Sequence, residues 1–396
     1  MVHIKLFSMI NTNILITGTT GILGRHILYE LLHLYAGGQK DGKLIVIIRS
    51  KSGQTGYERL ISIVKHRFRP AYLNKYTDSE LLKHVVLIEA GIEELNNTHL
   101  KTLEYYDNLY VIHAAAETDL SNTATAHEKI FTHNYLATKH LLEWVTPNLY
   151  RFIFISTTFS IGHYDPIMTD QYISFDKNGA PVLKEIQQHR IPYEKFKIKM
   201  ELELIQYCQQ SDKKWQIIRP SSICGRMLDE PLYYTPEFNV FYMLGKFLLA
   251  CSSADMIHSG EKIRIESNPA GSMNIVPVDY VAKTIVRSFE DNRVGQLNAV
   301  SSRQVSVAYL LQCMCSYSGI KCELTETPPL SETMTKAEKQ YYEVMAPILS
   351  YYLTIPTYQF DTSVLKEIMI DFPDIDVEKG FKDLYAFAYE NEFRSL

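Results

Sequence analysis

Tyr193 and Lys197 stand four residues apart in the run Tyr193-Glu194-Lys195-Phe196-Lys197, a spacing that puts both side chains on one face of a helix. A lysine ammonium beside a phenol favours the phenolate and lowers the tyrosine pKa from about 10, which brings proton exchange within reach of neutrality. The pair predicts a general acid at a carbonyl oxygen. Spacing alone is weak support: with 27 tyrosines in the chain, about one or two such pairs arise by chance, and Tyr135 with Lys139 is a second example. Position separates them. Tyr193 follows a hydroxyl-rich strand end, Ser156-Thr157-Thr158, whereas Tyr135 lies inside an earlier helical pattern.

A second chemistry is written in Thr17-Gly18-Thr19-Thr20-Gly21-Ile22-Leu23-Gly24. Gly18 allows a tight turn, Gly21 lets a pyrophosphate approach main-chain amides at a helix N-terminus, and Gly24 lets that helix pack closely on the preceding strand. The predicted ligand is a dinucleotide. At the end of the second strand, where an acid would hold free ribose hydroxyls, the chain has Arg49. A guanidinium there grips a 2′-phosphate through a planar, charge-assisted pair of hydrogen bonds, so NADPH is expected over NADH. Arg25, directly after the third glycine, is a further phosphate candidate.

These residues need a scaffold that holds them at one sheet edge. The first half alternates β-branched runs with helical patterns, the signature of a parallel sheet with crossover helices. Strands are predicted at Asn13–Thr17, Leu44–Ile48, Val85–Glu89, Tyr110–His113, Arg151–Ser156 and Gln216–Arg219, and helices at Gly24–Leu34, Ala126–Val145 and Tyr193–Gln209. A long helical excursion is predicted over Ser52–Lys83. The expected fold is α/β, a Rossmann-like doubly wound parallel sheet with a smaller α+β C-terminal substrate lobe. The boundaries are 1–220 for the nucleotide-binding domain and 221–396 for the lobe, with 274–290 returning to the first domain.

Composition narrows the function classes. A chain of 396 residues, 46% hydrophobic and 21% charged, buries a full core and lacks the charge excess of a disordered one. A formal charge of −5 argues against binding nucleic acid through phosphate neutralisation. The longest apolar run, Phe241 to Cys251, is broken by Lys246 and is too short to span a membrane. Lys5 is followed by strand-like sequence instead of a cleavage site, which predicts an unprocessed, cytoplasmic protein. The six cysteines, at 208, 224, 251, 313, 315 and 322, form no paired metal spacing and are expected to be reduced, packed thiols.

Taken together, the glycine turn, His113-Ala114-Ala115-Ala116, Asn134, Ser156-Thr157-Thr158, Tyr193 with Lys197, and Arg219-Pro220-Ser221 resemble an extended short-chain dehydrogenase/reductase over most of the chain. The resemblance implies that Thr157 shares a hydrogen bond at the substrate oxygen, with Ser156 and Thr158 as alternatives, and that Lys197 also holds the nicotinamide ribose. It implies cofactor contacts from Thr20, Ile22, Leu23, His113, Ala114, Ala115, Pro220 and Ile223, beside Gly18, Gly21, Gly24, Arg25, Arg49, Tyr193 and Lys197. Asn134 is either part of a proton relay near Lys197 or a cap for the helix from Tyr135 onward.

Within that group the chain resembles the thioester reductase and fatty acyl-CoA reductase branch, the male-sterility type. Arg49 opens an Arg-Ser-Lys-Ser-Gly run toward Glu58-Arg59-Leu60, an excursion precedes the third strand, and Pro277-Val278-Asp279-Tyr280-Val281 matches the branch's PVDxV segment. The likeness implies reduction of an acyl thioester, delivered on an acyl-carrier protein or coenzyme A, to aldehyde or alcohol. One departure is Gly91-Ile92, where relatives carry Gly-Asp; adenine must then rest on apolar contacts or main chain. The aromatic segment Leu232 to Tyr242 is either an acyl tunnel or packed core. Alternative readings are an NADP-dependent sugar-nucleotide epimerase, dehydratase or ketone reductase, with Lys262 and Arg264 as diphosphate ligands, and an NADPH sensor without turnover. The chain is expected to be a monomer or homodimer.

Overall fold

A computed structural model describes residues 11–162, 165–184, 189, 191–254, 256–257, 261–356 and 358–396; Lys5 and its neighbours lie outside the described residues. Seven parallel strands form the central sheet: β1 Ile14–Thr17, β2 Leu44–Ile47, β3 Val85–Ile88, β4 Leu109–His113, β5 Leu149–Ile155, β6 Lys214–Pro220 and β7 Gln296–Ala299. Their order is β7-β6-β5-β4-β1-β2-β3. The chain therefore starts mid-sheet, winds one way to β3 and the other way from β4, which opens a crevice at the C-terminal ends of β1 and β4. Every residue of β1 and of β2 is buried, as apolar runs covered on both faces require.

Helix α1, Ile22–Ala36, covers one face, and its Ile27, Leu28 and Leu31 share a cluster with Val278, Val281 and Ile285 of a helix far along the chain, Val278–Ser288. The other face is covered by residues 124–145 and by α-helix Pro192–Gln210, through Ile130, Leu141, Phe196 and Leu204. Residues 124–145 form one helix with a π turn at Phe131–Leu136. A third cluster gathers Phe241, Leu248, Leu310, Leu311, Tyr341, Leu353 and Phe381 into the C-terminal lobe.

Three expectations need correction. The 52–83 segment is not one helical run: it breaks into Gly56–Val64, a 3-10 turn Ala71–Lys75 and a short helix Asp78–Leu82, because Thr55 and Thr77 each close a capping box with the glutamate three residues on. β7 was not predicted, since Gln296-Leu297-Asn298-Ala299 has only two apolar side chains; Gln296 is buried because its amide bonds Ile173 and Arg219. The cysteines are not all free. Cys315 and Cys322 are joined across a Cα separation of 6.2 Å, linking helix Val307–Ser318 to strand Lys321–Thr325, while Cys208, Cys224, Cys251 and Cys313 are buried thiols. Among the described residues no group of histidine, cysteine and carboxylate side chains has the arrangement of a metal site, and no helix is long and apolar enough to cross a membrane.

Candidate active site

The glycine turn between β1 and α1 is shaped by contacts that only glycine permits. Gly18 takes φ +76°, and a Cβ there would lie 2.5 Å from the carbonyl carbon of Ala114 on the neighbouring strand's end; a Cβ on Gly24 would lie 2.2 Å from the Gly18 oxygen. Gly21 differs. Its Cβ would meet only the Gly18 oxygen, at 3.4 Å, and no side chain caps the helix it begins. The first turn of α1 thus presents uncapped amides and the positive end of its dipole, a fit for the pyrophosphate of a nicotinamide dinucleotide.

Two clefts meet at this turn and share Gly18, Gly21, Ala114 and Ala116. One runs under β2, past Thr20, Arg49, Lys51, Arg59, Ala115 and Ile92. Arg59 donates through Nη1 to the Arg49 carbonyl at 2.6 Å, and Arg49 lies 3.8 Å from Glu93 with its side chain half exposed. Ala90, Gly91 and Ile92 line this end together with Glu93. The other cleft, about 290 Å³, passes Ile22, Leu23, Gly24, Pro220 and Ile223 and reaches Thr157, Tyr193 and Lys197 before entering the lobe.

Helix Pro192–Gln210 begins with proline in its first turn, and this fixes where Tyr193 enters the cleft. Lys197 is buried; its Nζ donates to the Ile155 carbonyl at 2.7 Å and sits 5.7 Å from the centre of the Tyr193 ring. Burial pulls this lysine down to about 8, with Glu201 opposing the fall. The expected lowering of the Tyr193 pKa is not produced by these groups. Burial, followed by the neighbouring Glu194 charge, raises it, while the ammonium's hydrogen bond goes to the Ile155 carbonyl. Tyr193 is consequently held as the protonated phenol, the form that donates.

The three candidate hydroxyls separate cleanly. Ser156 borders the cleft but gives its proton to Glu201; Thr158 is buried away from it; Thr157 lines it and accepts from the Phe159 amide at 3.3 Å. Asn134 does not cap a helix. It sits inside the 124–145 helix and exchanges hydrogen bonds with the Glu117 main chain, at 2.7 and 2.8 Å, fixing the loop that follows β4. His113 does not reach the cleft either: its ring bridges the Thr17 and Thr138 hydroxyls at 2.8 Å each, and burial pushes it down to about 3, so it is a neutral strut. Arg25 is turned away, donating to the Tyr234 phenol at 2.8 Å and tying α1 to the lobe.

One functional group escaped sequence reasoning. Glu201, one turn beyond Lys197 and fully buried, accepts from the Ser160 hydroxyl at 2.9 Å and from Arg219 Nε at 3.0 Å, as well as from Ser156. The pair ties the end of β5, the Tyr193 helix and β6 together; removing either partner leaves a buried uncompensated charge, a cost of about 3–5 kcal/mol. Its signal was a glutamate four residues after Lys197, one turn on along the same helix face.

On the lobe side the cleft is walled by Phe241, Met273, Leu310, Leu311, Leu349 and Leu353. The aromatic segment is divided: Phe241 and Tyr242 line the cleft, whereas Tyr234 stacks on Phe68 and Phe238 packs on Phe393. Lys262 and Arg264 do not line it. Lys262 pairs with Glu323 at 3.2 Å and Arg264 with Glu338 at 2.8 Å.

A doubly wound sheet with a glycine turn at its switch point defines a nicotinamide-dinucleotide-dependent enzyme of the extended short-chain dehydrogenase/reductase type. Residues 16–285 match the family model described as "Male sterility protein", and the chain belongs to that family. No curated protein matches it in sequence. Among solved structures it is similar to the terminal R domain from the myxalamid PKS-NRPS biosynthetic pathway, at TM-score 0.65 and 17% identity over 97% of this chain and 92% of that one. A thiolation-reductase di-domain from an archaeal non-ribosomal peptide synthetase gives TM-score 0.64 at 19% identity, with 97% and 92% covered. UDP-glucuronic acid 4-epimerase from Bacillus cereus, in complex with UDP-glucuronic acid and NAD, gives 0.59 at 17% identity, with 96% and 100% covered. At these identities the likeness is one of fold.

Proposed function

We propose that the protein is an NADPH-dependent reductase of acyl thioesters, with Tyr193 as general acid, Thr157 as second hydrogen-bond donor at the substrate oxygen and Lys197 as the ribose-holding cation. The observation that carries this reading is the apolar lobe wall directly beyond Tyr193, which suits an acyl chain; among the described lining residues it adds no cation to Lys197 for a sugar diphosphate. The pairing of Lys262 and Arg264 with lobe carboxylates removes the cations a sugar-nucleotide enzyme would need. Arg49, flanked by Lys51 and Arg59, supports NADPH over NADH.

The reduced nicotinamide, when bound, supplies the hydride. The protein's task is to place the thioester carbon beneath it and to manage the charge that forms on oxygen. Tyr193, kept protonated, and Thr157 donate to that oxygen, and each donor directed at a developing oxyanion is worth about 3 kcal/mol. The Ile155 carbonyl takes one Lys197 N–H at the cleft wall, and the others are left for the ribose hydroxyls in this reading. Loss of the thiolate leaves an aldehyde, which a second round at the same phenol carries to the alcohol. Consumption of NADPH, beside NADH, over acyl-CoA, acyl-carrier and UDP-sugar substrates tests the reading: turnover with UDP-sugars alone rejects it. Tyr193→Phe is expected to lower kcat by about 10³-fold with cofactor binding, followed by fluorescence, retained; unchanged turnover removes the phenol from the reaction.

A further inference from the structure

The lip of the acyl cleft differs chemically from its walls. Glu237, Asn239 and Val240, between the aromatic segment and helix Tyr242–Ser253, line the cleft together with Thr118 from the loop after β4. Asn239 donates through Nδ2 to Glu237 Oε2 at 3.0 Å, the Asn239 carbonyl accepts from the Tyr242 amide at 3.2 Å, and Thr235 donates to the Glu237 carbonyl at 2.8 Å. Val240 is held at φ +55°, a left-handed conformation that costs a β-branched residue about 1–3 kcal/mol and is kept only where the surroundings impose it. The lip is therefore a fixed turn, with both polar side chains exposed at its edge.

What the lip offers is hydrogen-bonding capacity without a cation: the Asn239 amide beside the Glu237 carboxylate. After its bond to Glu237, the Asn239 side chain still has a carbonyl acceptor and an N–H, the complement of a secondary amide. Lys197, at the reacting end, is the only cation among the described residues lining this cleft, so nothing at the lip neutralises a phosphate. A thioester whose acyl group fills the apolar wall must lead its thiol arm out past this edge. The arm shared by coenzyme A and carrier proteins, pantetheine, carries two amides and no charge along its length.

We propose that Glu237 and Asn239 form a subsite for the amide-bearing pantetheine arm of the substrate. The inference rests on the thioester reading. The test compares octanoyl-pantetheine, octanoyl-CoA and octanoyl S-ethyl thioester, the last having the same acyl group and no amide. Asn239→Ala is expected to raise KM about tenfold for the first two and to leave the S-ethyl ester unchanged, with an unaltered thermal midpoint showing the fold intact. An equal rise for all three, or none for octanoyl-pantetheine, overturns the subsite while leaving the thioester reading standing. Turnover of none of them by the unsubstituted protein overturns that reading and the subsite with it. The arm being the part recognised, octanoyl-CoA and octanoyl-pantetheine are expected to share one KM; a tenfold lower value for octanoyl-CoA assigns recognition to the nucleotide end instead.

Discussion

The two ends of the cleft are built in opposite ways. At the glycine turn of the cofactor end the surface is main chain from one continuous strand-turn-helix unit, and its shape depends on Gly18 having no Cβ to collide with Ala114 and Gly24 none to collide with Gly18. At the lobe end the surface is side chain: Phe241, Met273, Leu310, Leu311, Leu349 and Leu353 come from separate elements and meet only in the fold. A backbone-built site tolerates almost no substitution at its glycines, because a collision with main chain cannot be relieved by a rotamer. A side-chain wall tolerates exchange among apolar residues and answers changes in volume with changes in what fits.

Glycine substitutions give the largest contrast. Gly24→Ala is expected to cost at least about 3 kcal/mol and to lower the melting temperature by roughly 4 °C or more, since its Cβ would sit 2.2 Å from a main-chain oxygen. Gly21→Ala, with only a 3.4 Å neighbour, should leave melting unchanged and raise the cofactor KM instead; equal melting losses would erase the distinction between a packing glycine and a ligand-facing one. Next in size, Leu311→Trp should lower kcat/KM for long acyl chains by about 10–100-fold and spare both short chains and the cofactor KM. Arg49→Ala is its mirror, raising KM for NADPH without touching acyl selectivity, and a variant that moved both properties would show the two ends to be coupled. The smallest effect is in pH. Lys197 is lowered to about 8, so its charged form is lost as pH rises through that value, and kcat/KM should fall on the alkaline side with a midpoint near 8. A flat profile from pH 7 to 9.5 would take the ammonium out of the free enzyme's requirements.

The same contrast explains which residues were legible. Six of the seven strands appeared as apolar runs, and the glycine turn was placed correctly because strand, turn and helix follow one another within a few residues. β7 was missed because its glutamine and asparagine are buried by partners contributed from the segment at 170–173 and from Arg219. Arg25, His113 and Asn134 stand at family positions, yet their side chains are spent on Tyr234, on two threonine hydroxyls and on the Glu117 main chain. A residue's type and place in a motif do not reveal which neighbour claims its hydrogen bonds.

Sequence alone determined the parallel sheet, the dinucleotide turn and the alignment of Tyr193 with Lys197, since each follows from backbone periodicity or from steric freedom at single positions. Only the tertiary structure decided that Lys197 faces the Ile155 carbonyl, that burial keeps the phenol protonated, and that leucines of the C-terminal lobe wall the cleft. Those outcomes depend on which groups distant in the chain share a volume from which water is excluded. In such a volume both charge and contact are set by the neighbours, and the chain's local order does not specify them.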